Sequence, residues 1–225
     1  MTTPATAWDL YRDIHKALRF AVAGVITRAG SADAGDEQAV RTLLDEWDDV
    51  AFVLHGHHAQ EDEFCDPLIR RHAAGLRDEL ELAHHEADRQ LAALHKAADR
   101  IRAATPSERD PLLLGFHLAL ADFDASYLPH LRFEERTVMP ALHSAMSDAE
   151  LEVVTHQIRS SVAPADMCTY LRYMVPALNF TERLDLLGGM YAGAPAEVFD
   201  MFRHAAESAL PPPEFEAIAL AVGFA

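Results

Sequence analysis

The stretch HHAQEDEFCDPLIRRH, residues 57 to 72, carries three histidines and four acidic side chains in sixteen positions. It continues a stripe on which Leu43, Trp47, Val50 and Leu54 are followed by His57, Glu61, Phe64 and Leu68 at three- and four-residue steps. Such steps define one face of a helix. The polar groups therefore fall where a core should be, and burying them is costly unless each finds a partner. A second stretch, HLRFEERTVMPAL at 130 to 142, repeats the pattern. In both, a His precedes a Glu by four positions, an acidic residue follows the Glu, and a Pro lies six beyond it. The two sets are His57, Glu61, Asp62, Pro67 and His130, Glu134, Glu135, Pro140.

Three more helical patterns accompany this one. The first runs from about Trp8 to Arg28 with Tyr11, His15, Leu18, Val22 and Val25 in line, and GSADAGDE then breaks it. Asp36 is placed to cap the next helix. A third pattern, Gly75 to Ala104, carries Leu80, His84, Ala87, Leu91 and Leu94. TPSERDP reads as its terminator, with Asp110 and Pro111 starting a fourth that aligns Phe116, Leu120, Phe123, Tyr127, His130, Glu134 and Val138. No segment shows the strict alternation of a half-buried strand. The expectation is all-α: an up-down antiparallel four-helix bundle over residues 1–145. From Ser147 the helices shorten; SDAE reads as a capping box, and the Gly and Pro of LLGGMYAGAPAEVF and LPPPEF separate further short helices. Residues 146–225 are expected to be a helical extension, not a second independent domain.

Helical rise is about 1.5 Å per residue, so distance from a shared loop sets height in an antiparallel bundle. His57 is 21 residues after Asp36 and His15 is 15 before Gly30; Glu61 is 11 before His72 and His84 is 9 after Gly75. His84 is also 21 before Thr105 and His130 is 20 after Asp110. The four stripe histidines, one per helix, fall in roughly one layer. Within each His–Glu pair the side chains stand one turn apart on one face. A divalent metal pair bridged by two carboxylates and capped by imidazoles would satisfy all of these groups. Imidazole with carboxylate suits iron, zinc or manganese, with iron usual where oxygen chemistry follows.

At these residues the chain resembles haemerythrin-like proteins, the HHE cation-binding family. The resemblance covers about residues 8 to 143 and rests on HKALR at His15, HHAQEDEFCDP at His57 and Glu61, HHEAD at His84, and HLRFEERTVMP at His130 and Glu134. It implies a non-haem di-iron centre bridged by Glu61 and Glu134, with His15, His57, His84 and His130 as terminal ligands. It also implies a departure. Oxygen-carrying members have a second histidine four residues after the third-helix ligand, where this chain has Asp88. Asp88 is a candidate metal ligand, a hydrogen-bond partner of a ligand, or the mark of an open position. Each shifts the expectation from reversible oxygen carriage towards sensing or reduction of oxygen, nitric oxide or peroxide. PALNFTERLDLLGGMYAGAP resembles an extension found on some bacterial members.

Other polar residues have blander readings. Stripe phase favours His84 over His85, and His58 heads a shifted face with His55, Asp62 and Cys65, on a flank or beside the ligands; a rotated helix would put His58 or His85 in its neighbour's place. Asp62 and Glu135 more often solvate a helix exterior; hydrogen-bonding a ligand imidazole is their sharper role. Tyr127 reads as core packing, and Pro67 and Pro140 as the places where each site helix ends or kinks. Cys65 is close in sequence to the site, but with no partner cysteine nearby it reads as a small hydrophobe. The remaining histidines, including His72, His95, His117, His143, His156 and His204, have no comparable pairing.

The bulk numbers exclude more than they assign. A net charge of −17, with only two lysines in 225 residues, disfavours nucleic acid or an anionic membrane as partner. Two cysteines make no disulfide framework, and no apolar run is long enough to span a bilayer. MTTPATAWDLYRDIHKALRF has acidic residues early and reads as no signal peptide, so a cytoplasmic, reducing compartment is expected. The functions expected are a protein that binds or senses oxygen, nitric oxide or peroxide; an enzyme that reduces peroxide or nitric oxide; or a metal-stabilised helical interaction protein. In the last, a protein partner or self-association would use residues 146–225.

Overall fold

The computed structural model describes residues 8–224; Met1–Ala7 and Ala225, including that much of the expected N-terminal reading, lie outside the described residues. Helix α1 spans Arg12–Ser31, later by four residues than expected, because Asp9 Oδ1 accepts from the Tyr11 and Arg12 N–H groups at 2.9 Å. Helix α2, Glu37–Gln60, starts on Asp36, whose carboxylate accepts from Gln38 and Ala39. A wider π turn, Glu61–Cys65, leads into α3, Asp66–His72. Helix α4 is Arg77–Ala103.

Helix α5, Pro106–Phe133, corrects the expected start at Asp110. Thr105 caps it, its N–H donating to Glu108 at 3.0 Å, and Pro106 occupies the first turn, where its missing N–H costs nothing. Pro111 falls inside the helix instead of opening it. A second π turn, Glu134–Val138, then leads into α6, Met139–His143.

The two π turns explain the paired prolines. In an α-helix the rings of Pro67 and Pro140 would meet the carbonyls four residues earlier. One extra residue in the turn moves those carbonyls away, and the preceding Asp66 and Met139 N–H groups donate five back, to Glu61 and Glu134. Each π turn begins on the glutamate of a His–Glu pair.

Helices α1, α2, α4 and α5 form the four-helix bundle, α1 packing on α2 and α5, and α4 on α5 and α2. One end is apolar, with Trp47 edge-on to Phe116 at 5.6 Å and Leu43, Ile101 and Leu120 fully buried. The other end holds the histidines. The extension consists of α7 (Asp148–Ser161), α8 (Pro164–Ala177), α9 (Phe180–Gly193), α10 (Ala196–Ala209) and α11 (Pro212–Val222). Ser147 caps α7 with Glu150, as the SDAE spacing predicts. Helix α8 packs across α1 and against α10, and Tyr170, Leu171 and Val175 join the core that contains Leu18 and Val50. Gly56 makes that seat: a Cβ there would overlap the Tyr170 hydroxyl. No described helix is long and apolar enough to cross a membrane.

Candidate metal centre

His15, His57, His84 and His130 meet in one layer, with ring centroids 5.3 Å apart for His15–His57 and 4.9 Å for His84–His130. Between them lie Glu61 and Glu134, 6% and 1% exposed. The six residues form two overlapping groups, His15–His57–Glu61–Glu134 and Glu61–His84–His130–Glu134, with the donor atoms of each within 4.8 Å of one another. Each glutamate divides its oxygens between the groups. Glu61 Oε1 is 3.4 Å from His57 Nε2, and its Oε2 is 3.3 Å from His84 Nε2. Glu134 Oε2 is 3.3 Å from His15 Nε2, while its Oε1 is 3.3 Å from His130 Nε2 and 3.8 Å from His84 Nε2.

None of the four Nε2 atoms, nor Glu61 Oε1 and Oε2 and Glu134 Oε2, makes a well-formed hydrogen bond among the described residues, although all are buried. Orphaned buried polar atoms are rare and require a partner. Nitrogen and carboxylate oxygen converging at these separations are the donor set of a divalent transition metal. The residues fit a metal.

The electrostatics show what the carboxylates do to the rings. Burial alone would lower His15, but Glu134 and Glu135 beside it raise it to about 9. His84 is lowered by burial and raised by Glu134 and Glu61, to a net value of about 11. His57 and His130 are pushed down by burial. Burial raises Glu134, yet His15 and His84 outweigh it and hold the carboxyl far below its usual range. Without a metal, these charges compensate one another in pairs.

The acidic residues following each glutamate correct the expectation that they merely solvate the exterior. Glu135 Oε1 accepts from His15 Nδ1 at 2.9 Å and is itself held by Arg19. Asp62 lies 3.3 Å from His84 Nδ1. Each doubled acid thus serves twice: the first faces the centre, and the second holds a ring from another helix by its outer nitrogen.

Asp88, a candidate ligand by sequence, lies outside both groups. Its carboxylate is 56% exposed and sits 3.3 Å from His58 Nδ1. Four residues past His84 the helix has turned by about 40° beyond a full revolution, which carries Asp88 towards α2. His58, which its phase places on a flank or beside the ligands, is buried beside them. It stacks on His84 at 4.8 Å and leaves Nε2 without a partner among the described residues. His85 faces outward, 75% exposed. Tyr127 packs on Phe123, as expected, but its buried hydroxyl has no partner among the described residues beside His58 and His130.

A helical bundle with a buried imidazole–carboxylate cluster defines a class, the metal-binding four-helix bundles. The family model for the Hemerythrin HHE cation binding domain matches residues 6–142. The chain belongs to that family, and cation binding is what its His/Glu cluster is built for. No curated protein and no solved structure matches it.

Proposed function

We propose that this is a non-haem iron protein whose two metal ions are bridged by Glu61 and Glu134, and that it binds or senses oxygen, nitric oxide or peroxide there. The division of each glutamate's oxygens between two groups of donors carries this reading. His15 and His57 would complete one position, and His84 and His130 the other. When bound, the metals supply a redox couple and an exchangeable position for a small ligand. The chain's own part is orientation: Glu135 and Asp62 hold Nδ1 of His15 and His84, which fixes Nε2 inward. In this proposal Asp88 positions His58 and does not coordinate.

An enzymatic reading, reduction of peroxide or nitric oxide, is favoured by the unpartnered Tyr127 hydroxyl against His130, a proton donor at the site. Both cysteines are free thiols, which supports a reducing, cytoplasmic setting. Self-association through the extension would use its exposed Phe180, Tyr191, Met201 and Leu220.

The test is metal per chain, with the absorption spectrum, in protein purified from iron-supplied cells. Two irons with near-ultraviolet and visible bands that shift on adding azide support the reading. Zinc or manganese in place of iron, or no metal, would overturn it. Peroxide or nitric oxide turnover then separates enzyme from sensor.

A further inference from the structure

A cavity lies between bundle and extension, about 550 Å³ in volume. That is within the range of organic ligand sites and far larger than a diatomic molecule needs. Its walls come from the start of α1, the end of α2, and helices α7, α8 and α9. Ile158, Met167, Met174, Leu186 and Met190 make much of the wall apolar, and methionine adapts readily to varied shapes. His57 and Glu61 close one side, so an occupant lies against the outer face of the metal centre.

Arg159 also lines this cavity, and among the described residues no carboxylate forms an ion pair or hydrogen bond with it. Residues 1–7 contain no acidic side chain. Most acids around the cavity are engaged elsewhere. Asp9 caps α1, Asp13 pairs with Arg12, and Glu182 takes Lys16. Asp185, also on the cavity wall, is exposed and makes no ion pair among the described residues. Burial lowers the pKa of Arg159, with Asp13 the one acid acting on it at longer range. Arg159 is half-buried, and the fork of a guanidinium on the cavity wall matches a carboxylate.

We propose that this cavity binds a largely apolar organic monocarboxylate, its carboxylate on Arg159 and its chain among the methionines. The proposal rests on the cavity and Arg159, not on the metal reading, and is measured whether or not metal is bound. The experiment titrates full-length protein as purified with decanoate, 1-decanol and inorganic phosphate. It reads calorimetry and the fluorescence of Trp8, which lines the cavity; Trp47 is fully buried in the bundle. Decanoate is expected to bind saturably, one per chain, and more tightly than decanol. Arg159→Met is expected to weaken decanoate on the order of tenfold or more while leaving decanol unchanged. Met174→Trp should fill the space and abolish both, with helicity retained. No saturable decanoate binding, equal affinity in R159M, decanol binding as tightly as decanoate, or phosphate binding as tightly as decanoate would each overturn the proposal.

Discussion

Glu135 holds the outer nitrogen of His15 at 2.9 Å although 120 positions separate them, while its neighbour Glu134 faces the inner nitrogen of the same ring at 3.3 Å. One dipeptide thus grips an imidazole from both sides. Removing the outer grip should loosen the metal without abolishing the site. Glu135→Ala is expected to weaken metal retention by about 10- to 100-fold. Glu134→Ala should lose both ions. Competition with a chelator, read as metal per chain, checks this; equal retention in E135A and wild type would show the outer contact to be idle.

The pH dependence of the metal-free protein has a definite sign. His15 is raised from 6.5 to about 9, so its contribution to stability is complete below pH 6.5 and disappears as pH rises through about 9. Burial raises Glu135, but His15 and Arg19 outweigh it and hold it at about 2, below its ordinary 4.5. Its contribution is present above pH 4.5 and is lost on descent towards 2. The melting temperature of chelated protein should therefore be highest between these limits. A continuous rise from pH 6.5 to 9 would contradict the charge pairing.

Metal ions need neutral imidazoles. With His15 raised to about 9 and His84 to about 11, both rings carry protons at neutral pH in the metal-free protein. Loading should release about two protons per chain from these rings. A pH indicator in weak buffer measures the release, and none at neutral pH would mean the rings were neutral beforehand.

Asp88→Ala should leave the metal count unchanged, because the carboxylate meets His58 and lies outside both donor groups. Loss of one ion in D88A would make Asp88 a ligand. Asp88→His tests the other side: a shift in azide-sensitive absorption is expected where an added imidazole can compete.

Gly56→Ala should loosen the extension, since the new methyl overlaps the Tyr170 hydroxyl. Overpacking of this kind costs about 1–3 kcal/mol. Tyr170→Phe in the same chain should recover part of it, leaving ring carbon Cζ at 3.1 Å from the added Cβ. Thermal melts of the two single variants and the double variant form the cycle.

Much of the bundle was legible because helical periodicity is local: stripe residues such as Leu54, Leu91 and Leu120 reach the core wherever the helix packs. Loop-to-histidine distances were enough to place four rings in one layer. Helix starts were harder to read. Thr105–Pro106 and Asp110–Pro111 both look like beginnings, and only the hydrogen bond from the Thr105 backbone to Glu108 decides between them. Phase on an ideal helix left His58 open between a flank and a place beside the ligands. Its burial comes from His84 and Asp88 of another helix.

The sequence by itself determined the helices, the inward histidines and glutamates and the family, all carried by spacing within single segments. Tertiary structure alone decided that Glu135 and Asp62 grip rings from other helices, that Asp88 turns to His58, and that α8 seats its tyrosine on Gly56. It also decided that Arg159 lines a cavity against the bundle. Each of these is a contact between segments remote in the chain, and periodicity within one helix says which face is buried but not which neighbour covers it.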